Sequence, residues 1–410
     1  MSNKTTSPHP KFDTVVIGAG IIGLSIAYEL NRRFPSHGIL VLEKEDTPGL
    51  HASGRNSGVL HTGIYYSPNS LKAKICHTGR FLMEQFAIEN KIPIKKTGKV
   101  IIPTNENELA SLDRLMTNAQ KNGVNAQLLS EVEIRKIEPF ARPYQKGIHC
   151  PDVSVIEGKA VLSVLYQILT SRGVHIETNK KVCRIDEENK ILTTSDGAQV
   201  GYGYFINAAG AFADVIAKKV GLSRDHIMVP FKGMYFKLRE EKSSMVRSSI
   251  YPVPNLSFPF LGVHFTRIVS GGVYVGPTAT PAFGRENYGV IKGIRLSESF
   301  SIFTHLIQLY INNQQNFRKL THQEMGKYFK TYFLKHAQKL VSDLDGKDLI
   351  RSPKVGIRPQ LVNLKEKRLE MDFVIEQKDG SLHILNAISP AFTCAFSFSK
   401  WLIDNYLEKP

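Results

Sequence analysis

Three glycines near the start of the chain have the spacing of a phosphate-binding turn. Gly18, Gly20 and Gly23 follow the β-branched run Thr14–Ile17 and open a helical pattern that ends near Arg33. At this spacing the first glycine permits a tight turn, the second lets a pyrophosphate approach the backbone, and the third allows close helix packing. The helix N-terminus then favours the phosphate charge. The pattern predicts a dinucleotide site, and a purely structural turn is the alternative.

An acidic residue completes this pattern. Glu43 follows the apolar run Ile39–Leu42, 20 residues after Gly23, where a carboxylate can hold ribose hydroxyls. NAD and FAD both fit, but the N-terminal position of the motif and the later turn Asn207–Gly210 favour FAD. The chain has no second complete glycine fingerprint, so we expect the substrate itself to supply the electrons. The predicted FAD contacts in these segments are Gly18, Gly20, Ile22, Gly23, Glu43, Lys44, Val182, Ala208, Ala209 and Gly210.

The loop that follows, residues 53–63, is rich in polar donors and glycine. Its arginine, asparagine and serine side chains can donate to pyrophosphate or flavin oxygens, and a glycine permits close backbone approach. Beyond them, His61 is placed to face a substrate, and Tyr65 offers a hydroxyl group. An ordered loop without cofactor contacts is the alternative. The predicted FAD contacts in this loop are Ser53, Arg55, Asn56, Ser57, Gly58 and Val59.

No spacing of His, Cys or carboxylates resembles a metal site, so we expect no metal. A covalent flavin link at His51 is an alternative that nothing in the sequence requires, and we expect FAD to bind non-covalently.

Arg358 lies in a Gly-Ile-Arg-Pro segment, and a planar guanidinium is the natural bidentate partner of a substrate carboxylate. A surface salt bridge or a flavin contact is the alternative role for this arginine.

The order of the predicted helices and strands, which must position these residues, indicates an α/β chain, α+β overall, with a Rossmann-like FAD domain. Helical patterns cover 71–89, 160–170 and 398–407, and strand patterns cover 98–104, 174–177, 204–207 and 380–388, with a hairpin at 190–202. Residues 228–275 indicate a mostly antiparallel sheet, and 297–344 are helix-rich. We expect two interleaved domains. The FAD domain comprises 1–90, 147–226 and 350–410, and the substrate domain comprises 91–146 and 227–349.

Composition excludes several classes of protein. With 410 residues and 42% hydrophobic content, the chain is neither disordered nor fibrous. The net charge of +16 is spread along the chain without an aromatic-interleaved basic motif, so we expect no nucleic-acid partner. No apolar run is long enough to span a bilayer, and residues 1–12 lack a signal pattern. Four scattered cysteines indicate no disulfide framework, so we expect a reducing, cytoplasmic location.

A family resemblance adds to these inferences. The segment His51-Ala-Ser-Gly-Arg-Asn-Ser-Gly-Val-Leu-His-Thr-Gly-Ile-Tyr-Tyr66 resembles the L-2-hydroxyglutarate dehydrogenase/oxidase family, within the D-amino-acid-oxidase-like superfamily of FAD-dependent oxidoreductases. Further segments similar to that family follow in the same order, so the resemblance covers nearly the whole chain. These segments are 230–236, 252–266, 276–277, 355–360 and 386–393.

The resemblance implies oxidation of L-2-hydroxyglutarate to 2-oxoglutarate, with a hydride passing from C2 to flavin N5 and a neutral imidazole accepting the hydroxyl proton. It implies that Arg358 and Lys232 hold the dicarboxylate, and that His61 or His264 accepts the proton. The closing segment adds Pro390, Ala391 and Thr393 to the predicted FAD contacts.

Two other functions stay open, together with the fate of the electrons. A related flavoenzyme could oxidise an amino acid or a secondary amine, and a non-catalytic FAD-binding protein is a further alternative. The electron acceptor is a quinone or oxygen, the latter giving hydrogen peroxide.

The apolar stretch 300–311 and the basic, aromatic stretch 317–340 predict docking on an anionic membrane, at the inner face of the cell membrane. A helical cap on the substrate domain is the alternative.

Overall fold

The computed structural model describes residues 9–256, 258 and 260–407. Residues 1–8 of the N-terminal segment 1–12 lie outside the described residues, as do Ser257 and Pro259 of the segment 252–266. The strands are β1 (Lys11–Ile17), β2 (Ile39–Leu42), β3 (Val59–Leu60), β4 (Ile94–Lys96), β5 (Lys99–Ile102), β6 (Gln127–Ser130), β7 (Lys146–Cys150), β8 (Ser154–Ile156), β9 (His175–Glu177), β10 (Val182–Asp186), β11 (Ile191–Thr194), β12 (Gln199–Asn207), β13 (His226–Leu238), β14 (Ser249–Pro252), β15 (His264–Arg267), β16 (Val273–Gly276), β17 (Thr280–Pro281), β18 (Leu349–Asn363), β19 (Arg368–Leu369), β20 (Ile375–Lys378) and β21 (Ser381–Ile384).

The helices occur between these strands and at the C-terminal end. They are α1 (Ile21–Arg33), α2 (Ala52–Arg55), α3 (Leu71–Glu89), α4 (Leu109–Lys121), α5 (Glu131–Ile137), α6 (Gly158–Ser171), α7 (Ala213–Lys218), α8 (Leu296–Asn312), α9 (Phe317–Gly326), α10 (Lys330–Gln338) and α11 (Ala391–Tyr406). None of the helices in the described part of the chain is long and apolar enough to cross a membrane.

The first sheet has eight strands around a parallel centre. β12, β1, β2 and β9 lie side by side in parallel, and β21 adds to β12 in parallel. Neighbouring residues of β1 belong to different cores: Val16 packs with α1 and α11, whereas Val15 packs with Ile216 of α7. Both faces of β1 are therefore covered, which explains its continuous β-branched sequence.

The second sheet has ten strands and is antiparallel except where β14 lies beside β5. Its longest pair joins β13 to β18 from His226 opposite Asn363 to Leu238 opposite Leu349, with an irregularity between Met234 and Phe236. Helices α8 and α9 cover one part of this sheet, since Ile302 and Phe317 share a core with residues of β13. A third, small sheet is formed by β3, β8 and β4.

The expected fold class is confirmed, with two local corrections. The predicted strand 204–207 and the second half of the predicted hairpin form one strand, β12, which pairs first with β11 and then with β21. The final helix begins at Ala391 rather than at residue 398, because Ala391, Cys394, Ala395 and Phe398 repeat with helical spacing on a buried face. The expected domain boundary at residue 350 stays a prediction; β18, which begins at Leu349, pairs along its length with β13.

Candidate active site

The carboxyl ends of three parallel strands meet at one edge of the first sheet. In register, Ile17 of β1 lies opposite Leu42 of β2 and Asn207 of β12. The chain therefore leaves β1 at Gly18, β2 at Glu43 and β12 at residue 208 in one neighbourhood. Ligands of open α/β sheets bind at this edge.

The glycine turn after β1 is closely packed. Gly18 has φ +107°, and a Cβ there would lie 2.5 Å from the carbonyl oxygen of Ala208. A Cβ at Gly23 would lie only 1.9 Å from the carbonyl oxygen of Gly18. Neither position accepts a side chain without moving the backbone, so the turn brings the N-terminus of α1 against the end of β1.

Two polar side chains hold this turn in place. The Glu43 carboxylate is buried, and it accepts the N–H of Ala19 at 2.8 Å and the N–H of Glu45 at 3.0 Å. The hydroxyl oxygen of Ser53 accepts the N–H of Ile21 at 2.9 Å. The loop after β2 and the first turn of α1 are thus joined around the predicted phosphate position.

A cavity of about 520 Å³ extends from this turn. Most of the predicted cofactor residues lie on its wall: Gly18, Gly20, Ile22, Glu43, Lys44, Ser53, Arg55, Asn56, Ser57, Val59, Val182, Ala208, Ala209, Gly210, Pro390, Ala391 and Thr393. Gly23 and Gly58 do not line the cavity. Gly23 packs α1 against the turn, and at Gly58 a Cβ would lie 2.4 Å from the carbonyl oxygen of Ile156, so both glycines serve close backbone packing.

The wall of this cavity fits FAD. Gly18 and Gly20 leave backbone exposed at the helix N-terminus, where a Cβ at Gly20 would lie 3.0 Å from the Ser53 hydroxyl. Apolar side chains, including Leu42, Val182 and Ile384, line the remainder with basic groups among them. A glycine cradle, an acidic residue at the end of β2 and an apolar wall are the features that a flavin dinucleotide requires.

A second group of residues lines the same cavity from the ten-stranded sheet. These residues are Gly233, Tyr235, Tyr251, Phe260, Leu261, His264, Pro277 and Arg358, and they share the cavity with His61 of the loop 53–63. The sheet that carries them is distinct from the sheet that carries the glycine turn. The cavity therefore places a mixed aromatic, imidazole and guanidinium surface next to the candidate flavin site.

His61 is held through its main chain. Its N–H donates to the Thr393 hydroxyl at 3.1 Å, and its carbonyl oxygen accepts the Cys76 thiol. The ring makes one long contact, 3.4 Å from Nε2 to the Ser389 hydroxyl, and buried Nδ1 has no partner in the described part of the chain. Burial, with Lys99 and His264 adding to it, lowers the pKa of His61 to about 3, so this imidazole is neutral at physiological pH.

His264 has a defined tautomer. Its Nδ1 lies 2.8 Å from the Gly262 carbonyl oxygen, which accepts only from a protonated nitrogen, so Nε2 carries the lone pair. Its ring stacks on Tyr251 with 4.0 Å between centroids. Burial lowers the pKa of His264 to about 3, and the Arg358 charge contributes to the shift. The site thus holds two neutral imidazoles that can accept a proton.

Arg358 provides a positive charge where residues of the ten-stranded sheet line the cavity. One guanidinium nitrogen, Nη1, donates to the Thr278 carbonyl oxygen at 2.9 Å, and the guanidinium carbon lies 5.7 Å from the Phe260 ring centroid. Among the described residues it has no carboxylate partner within ion-pair distance. Burial lowers the pKa of Arg358, but a guanidinium stays protonated in proteins. The site therefore offers a half-buried cation with further N–H donors free for a ligand.

Two predicted site residues do not line the cavity. Lys232 is buried, and its ammonium donates to Asn287 Oδ1 at 2.9 Å and to the Gly289 carbonyl oxygen at 2.7 Å. This lysine therefore holds the segment 284–293 instead of facing the cavity. Tyr65 lines neither the candidate flavin site nor the candidate substrate site. Its ring centroid lies 4.5 Å from Lys99 Nζ, in the layer behind the cavity.

His51 belongs to a charged cluster at the cavity wall. Its Nδ1 lies 2.7 Å from the Tyr288 hydroxyl, and its Nε2 lies 2.9 Å from Glu45. One ligand atom each of Glu45, His51 and Glu286 fall within 4.8 Å of one another, which is a metal-like spacing. However, the Lys44 ammonium forms ion pairs with both carboxylates and so offsets part of the negative charge of the cluster.

Sequence reasoning missed Tyr235 and Tyr251 of the cavity wall, and it missed Lys99, which lies in the layer behind them. The two tyrosines lie on strands whose side chains alternate between two buried faces, and the sequence does not show which face borders a cavity. Lys99 had a detectable signal. It is a lysine at the start of the otherwise apolar strand Lys99–Ile102, and it is completely buried.

The fold and the cavity together define an FAD-dependent oxidoreductase. A family model described as FAD dependent oxidoreductase matches residues 13–405. The chain is 33% identical over 423 residues to the mitochondrial L-2-hydroxyglutarate dehydrogenase of Homo sapiens, covering 97% of this chain and 89% of that protein. It is also 33% identical over 396 residues to L-2-hydroxyglutarate dehydrogenase of Escherichia coli strain K12, covering 96% and 92%. The chain therefore belongs to the FAD-dependent oxidoreductase family and, within it, groups with the L-2-hydroxyglutarate dehydrogenases.

Solved structures agree with this fold. The reduced L-alpha-glycerophosphate oxidase of Mycoplasma pneumoniae with FAD bound superposes with a TM-score of 0.76 at 23% identity, covering 95% of this chain and 93% of that one. Glycine oxidase of Geobacillus kaustophilus gives a TM-score of 0.72 at 19% identity, covering 96% and 94%. At these identities the likeness concerns the fold alone.

Proposed function

We propose that this enzyme oxidises L-2-hydroxyglutarate to 2-oxoglutarate. The observation that carries the proposal is the single cavity that joins the FAD cradle to a half-buried guanidinium and two neutral imidazoles. Oxidation of a 2-hydroxy acid needs a hydride acceptor, a proton acceptor and a carboxylate anchor, and this wall supplies residues for each need. The L-2-hydroxyglutarate dehydrogenases to which the chain is similar support the choice of substrate.

In this proposal Arg358 binds the carboxylate next to C2. Its guanidinium is held on one side by the Thr278 carbonyl oxygen, which leaves further N–H groups for a bidentate contact. A fixed carboxylate orients the C2–H bond and the hydroxyl group relative to the rest of the wall. Bound FAD supplies the acceptor for the C2 hydride.

His61 accepts the hydroxyl proton in this proposal, and His264 Nε2 is the alternative acceptor. His61 is on the same loop as the predicted flavin contacts, and its main chain is tied to Thr393 on the cavity wall. Its ring lacks a strong internal hydrogen bond, so a nitrogen is available. His264 Nε2 is an acceptor because the Gly262 carbonyl fixes the other nitrogen as the donor. The aromatic wall of Tyr251 and Phe260 excludes water from both imidazoles.

A substrate comparison with the purified holoenzyme and an artificial electron-accepting dye tests this function. We expect turnover of L-2-hydroxyglutarate with 2-oxoglutarate as the product, and no turnover of the D-enantiomer. Turnover of L-glutamate or sarcosine in its place would favour the amine-oxidising alternative. Hydrogen peroxide formed in air at the rate of substrate loss would identify oxygen as an efficient acceptor.

We further propose that the enzyme docks on an anionic membrane, at the inner face of the cell membrane, and passes its electrons to a quinone. The exposed face of α8 supports this proposal, since Leu296, Phe300 and Ile311 are 87%, 71% and 63% exposed and recur at helical spacing. The nearby basic residues Arg318, Lys319, Lys330, Lys335 and Lys339 are exposed as well. Apolar side chains next to basic ones suit an interfacial position.

The structure also limits which residues take part in docking. Phe317, Leu320 and Phe333 belong to buried cores, and Lys327 is buried in an ion pair with Glu324. These residues of the predicted membrane stretch 317–340 therefore pack against the ten-stranded sheet. The docking surface reduces to the outer face of α8 and the exposed lysines.

Co-sedimentation with vesicles tests the docking. We expect the holoenzyme to bind vesicles containing phosphatidylglycerol at low salt, and to bind neutral phosphatidylcholine vesicles weakly. Phe300→Ser with Phe303→Ser should reduce binding, whereas Val132→Ser, which removes an exposed apolar side chain from α5, should not. Equal binding by both variants, or no binding at low salt, would contradict membrane docking.

A further inference from the structure

Lys99 is a buried lysine in the layer directly behind the candidate substrate site. It begins β5, and its side chain is completely inaccessible to solvent. Its Nζ lies 4.5 Å from the ring centroid of Tyr65 and 5.0 Å from that of Tyr251. Since Tyr251 lines the cavity and stacks on His264, one aromatic side chain connects the lysine to the site.

The Lys99 ammonium lacks a counter-ion. Within the described residues its Nζ has neither a hydrogen-bond partner nor a carboxylate at ion-pair distance. A buried charge without a partner is costly, and proteins rarely retain one for stability alone. Burial lowers the pKa of Lys99, and the neighbours that oppose this shift are the thiols Cys150 and Cys76. An anion that enters the cavity would restore the missing partner.

The surroundings of Lys99 are polar but unsatisfied. Lys99 lies opposite Cys150 of β7 and Ser249 of β14 in the sheet register, so these side chains share one face. The buried hydroxyl oxygens of Ser249, Tyr65 and Thr266 have no hydrogen-bond partner in the described residues. One buried layer therefore holds a cation without a carboxylate partner and several hydroxyl groups whose hydrogen-bonding capacity is unused within the described residues.

The proposed substrate carries two carboxylates, whereas Arg358 alone provides a guanidinium at the substrate end of the described cavity wall. We propose that Lys99 is the second cationic determinant of the substrate, which selects a dicarboxylate by stabilising its distal carboxylate from behind Tyr251. Electrostatic attraction across one ring persists because the layer is buried, and buried charges are screened less than exposed ones. This inference rests on the proposed oxidation of L-2-hydroxyglutarate and deepens it to substrate selection.

The test compares two substrates that differ only in the distal charge: L-2-hydroxyglutarate and its C5 amide, L-2-hydroxyglutaramate. The wild-type holoenzyme should prefer the dicarboxylate by about tenfold or more in kcat/KM. Lys99→Met should lower kcat/KM for the dicarboxylate by about tenfold or more, mainly through KM, and leave the amide within about threefold. The preference for the dicarboxylate should thereby disappear.

Lys354→Met is the matched control. Lys354 Nζ also packs against two tyrosine rings, at 5.6 Å from Tyr235 and 4.8 Å from Tyr274, but it does not line the cavity. This variant should keep the wild-type preference. Lys99→Arg retains the charge and should also keep a preference for the dicarboxylate. Binding of 2-oxoglutarate, followed by the change in the flavin absorbance of the oxidised holoenzyme, should weaken in Lys99→Met in parallel with KM.

Several outcomes would overturn the inference. One is an equal loss for both substrates in Lys99→Met, which would indicate a structural role. Another is a wild-type enzyme that turns over the amide as well as the dicarboxylate, a result that needs no folded variant. A wild-type enzyme that oxidises neither compound would instead contradict the proposed function, so the two failures are distinguishable.

Discussion

Replacing Gly23 by alanine probes the link between the glycine turn and FAD affinity. The added methyl group would lie 1.9 Å from the carbonyl oxygen of Gly18, whereas real Cβ atoms essentially never approach a heavy atom within 3.0 Å. The N-terminus of α1 must therefore move away from the turn by about 1.1 Å. Gly18 is held in place by its N–H, which donates to the Leu42 carbonyl oxygen at 2.8 Å.

The expected losses of stability and of FAD affinity in Gly23→Ala follow from this displacement. Overpacking of this kind costs about 1–3 kcal/mol of folding free energy. The same shift misaligns the N–H groups that donate to a phosphate, and losing one charge-assisted hydrogen bond costs about 1.5–3 kcal/mol. We therefore expect the Kd for FAD to rise by about 10- to 100-fold. Titration of the apoprotein with FAD, followed by flavin fluorescence, measures this constant, and thermal unfolding measures the stability.

Gly197→Ala is the control that separates a loss of stability from a loss of FAD affinity. Gly197 has φ +85° in the turn between β11 and β12, and a Cβ there would meet no atom within 4 Å. Alanine at this positive φ should cost about 1–2 kcal/mol of stability without changing the Kd for FAD. If Gly23→Ala loses stability as Gly197→Ala does but keeps the wild-type Kd, the helix N-terminus is not the phosphate site.

Three further outcomes are expected. His61→Ala should lower the rate of flavin reduction by about 100-fold or more with FAD content unchanged, and a larger loss in His264→Ala would transfer the role of base to that residue. Arg358→Lys should mainly raise KM, because an ammonium cannot reproduce the bidentate contact, and an unchanged KM would exclude Arg358 as the anchor. The ion pairs of His226 with Glu370 and Glu376 raise the pKa of His226 to about 9, so its contribution to stability is present below pH 6.5 and is lost as the pH rises through 9. Urea unfolding at both pH values should show this loss in the wild type and not in His226→Gln; an equal pH dependence would contradict it.

The structural elements that the sequence predicts best are those determined by the spacing of neighbouring residues. The glycine turn, β1, α1 and β2 follow from neighbouring residues, and the structure has them at 11–17, 21–33 and 39–42. The strand β12 was divided in the prediction because Gly201 and Gly203 weaken the strand pattern, but pairing on both edges keeps it continuous. Local propensity cannot report such long-range hydrogen bonds.

The sequence does not show side-chain direction in the ten-stranded sheet, and this direction distinguishes two of the predicted site residues. Lys232 and Arg358 both lie on the paired strands β13 and β18, one register step apart, since Lys232 is opposite Ile357. One step along a strand reverses the direction of a side chain, so only Arg358 lines the cavity. Lys99 was missed for a related reason: a lysine at a strand end is usually solvated, and only the packing of β7 and β14 on both sides buries it.

Anaerobic mixing of the oxidised holoenzyme with L-2-hydroxyglutarate tests the central claim most directly. The absorbance of oxidised flavin should be lost rapidly, with one 2-oxoglutarate formed per flavin reduced, and this should need neither oxygen nor a quinone. L-Glutamate and D-2-hydroxyglutarate should leave the spectrum unchanged. Flavin that stays oxidised with L-2-hydroxyglutarate, or that is reduced by L-glutamate instead, would contradict the proposed function.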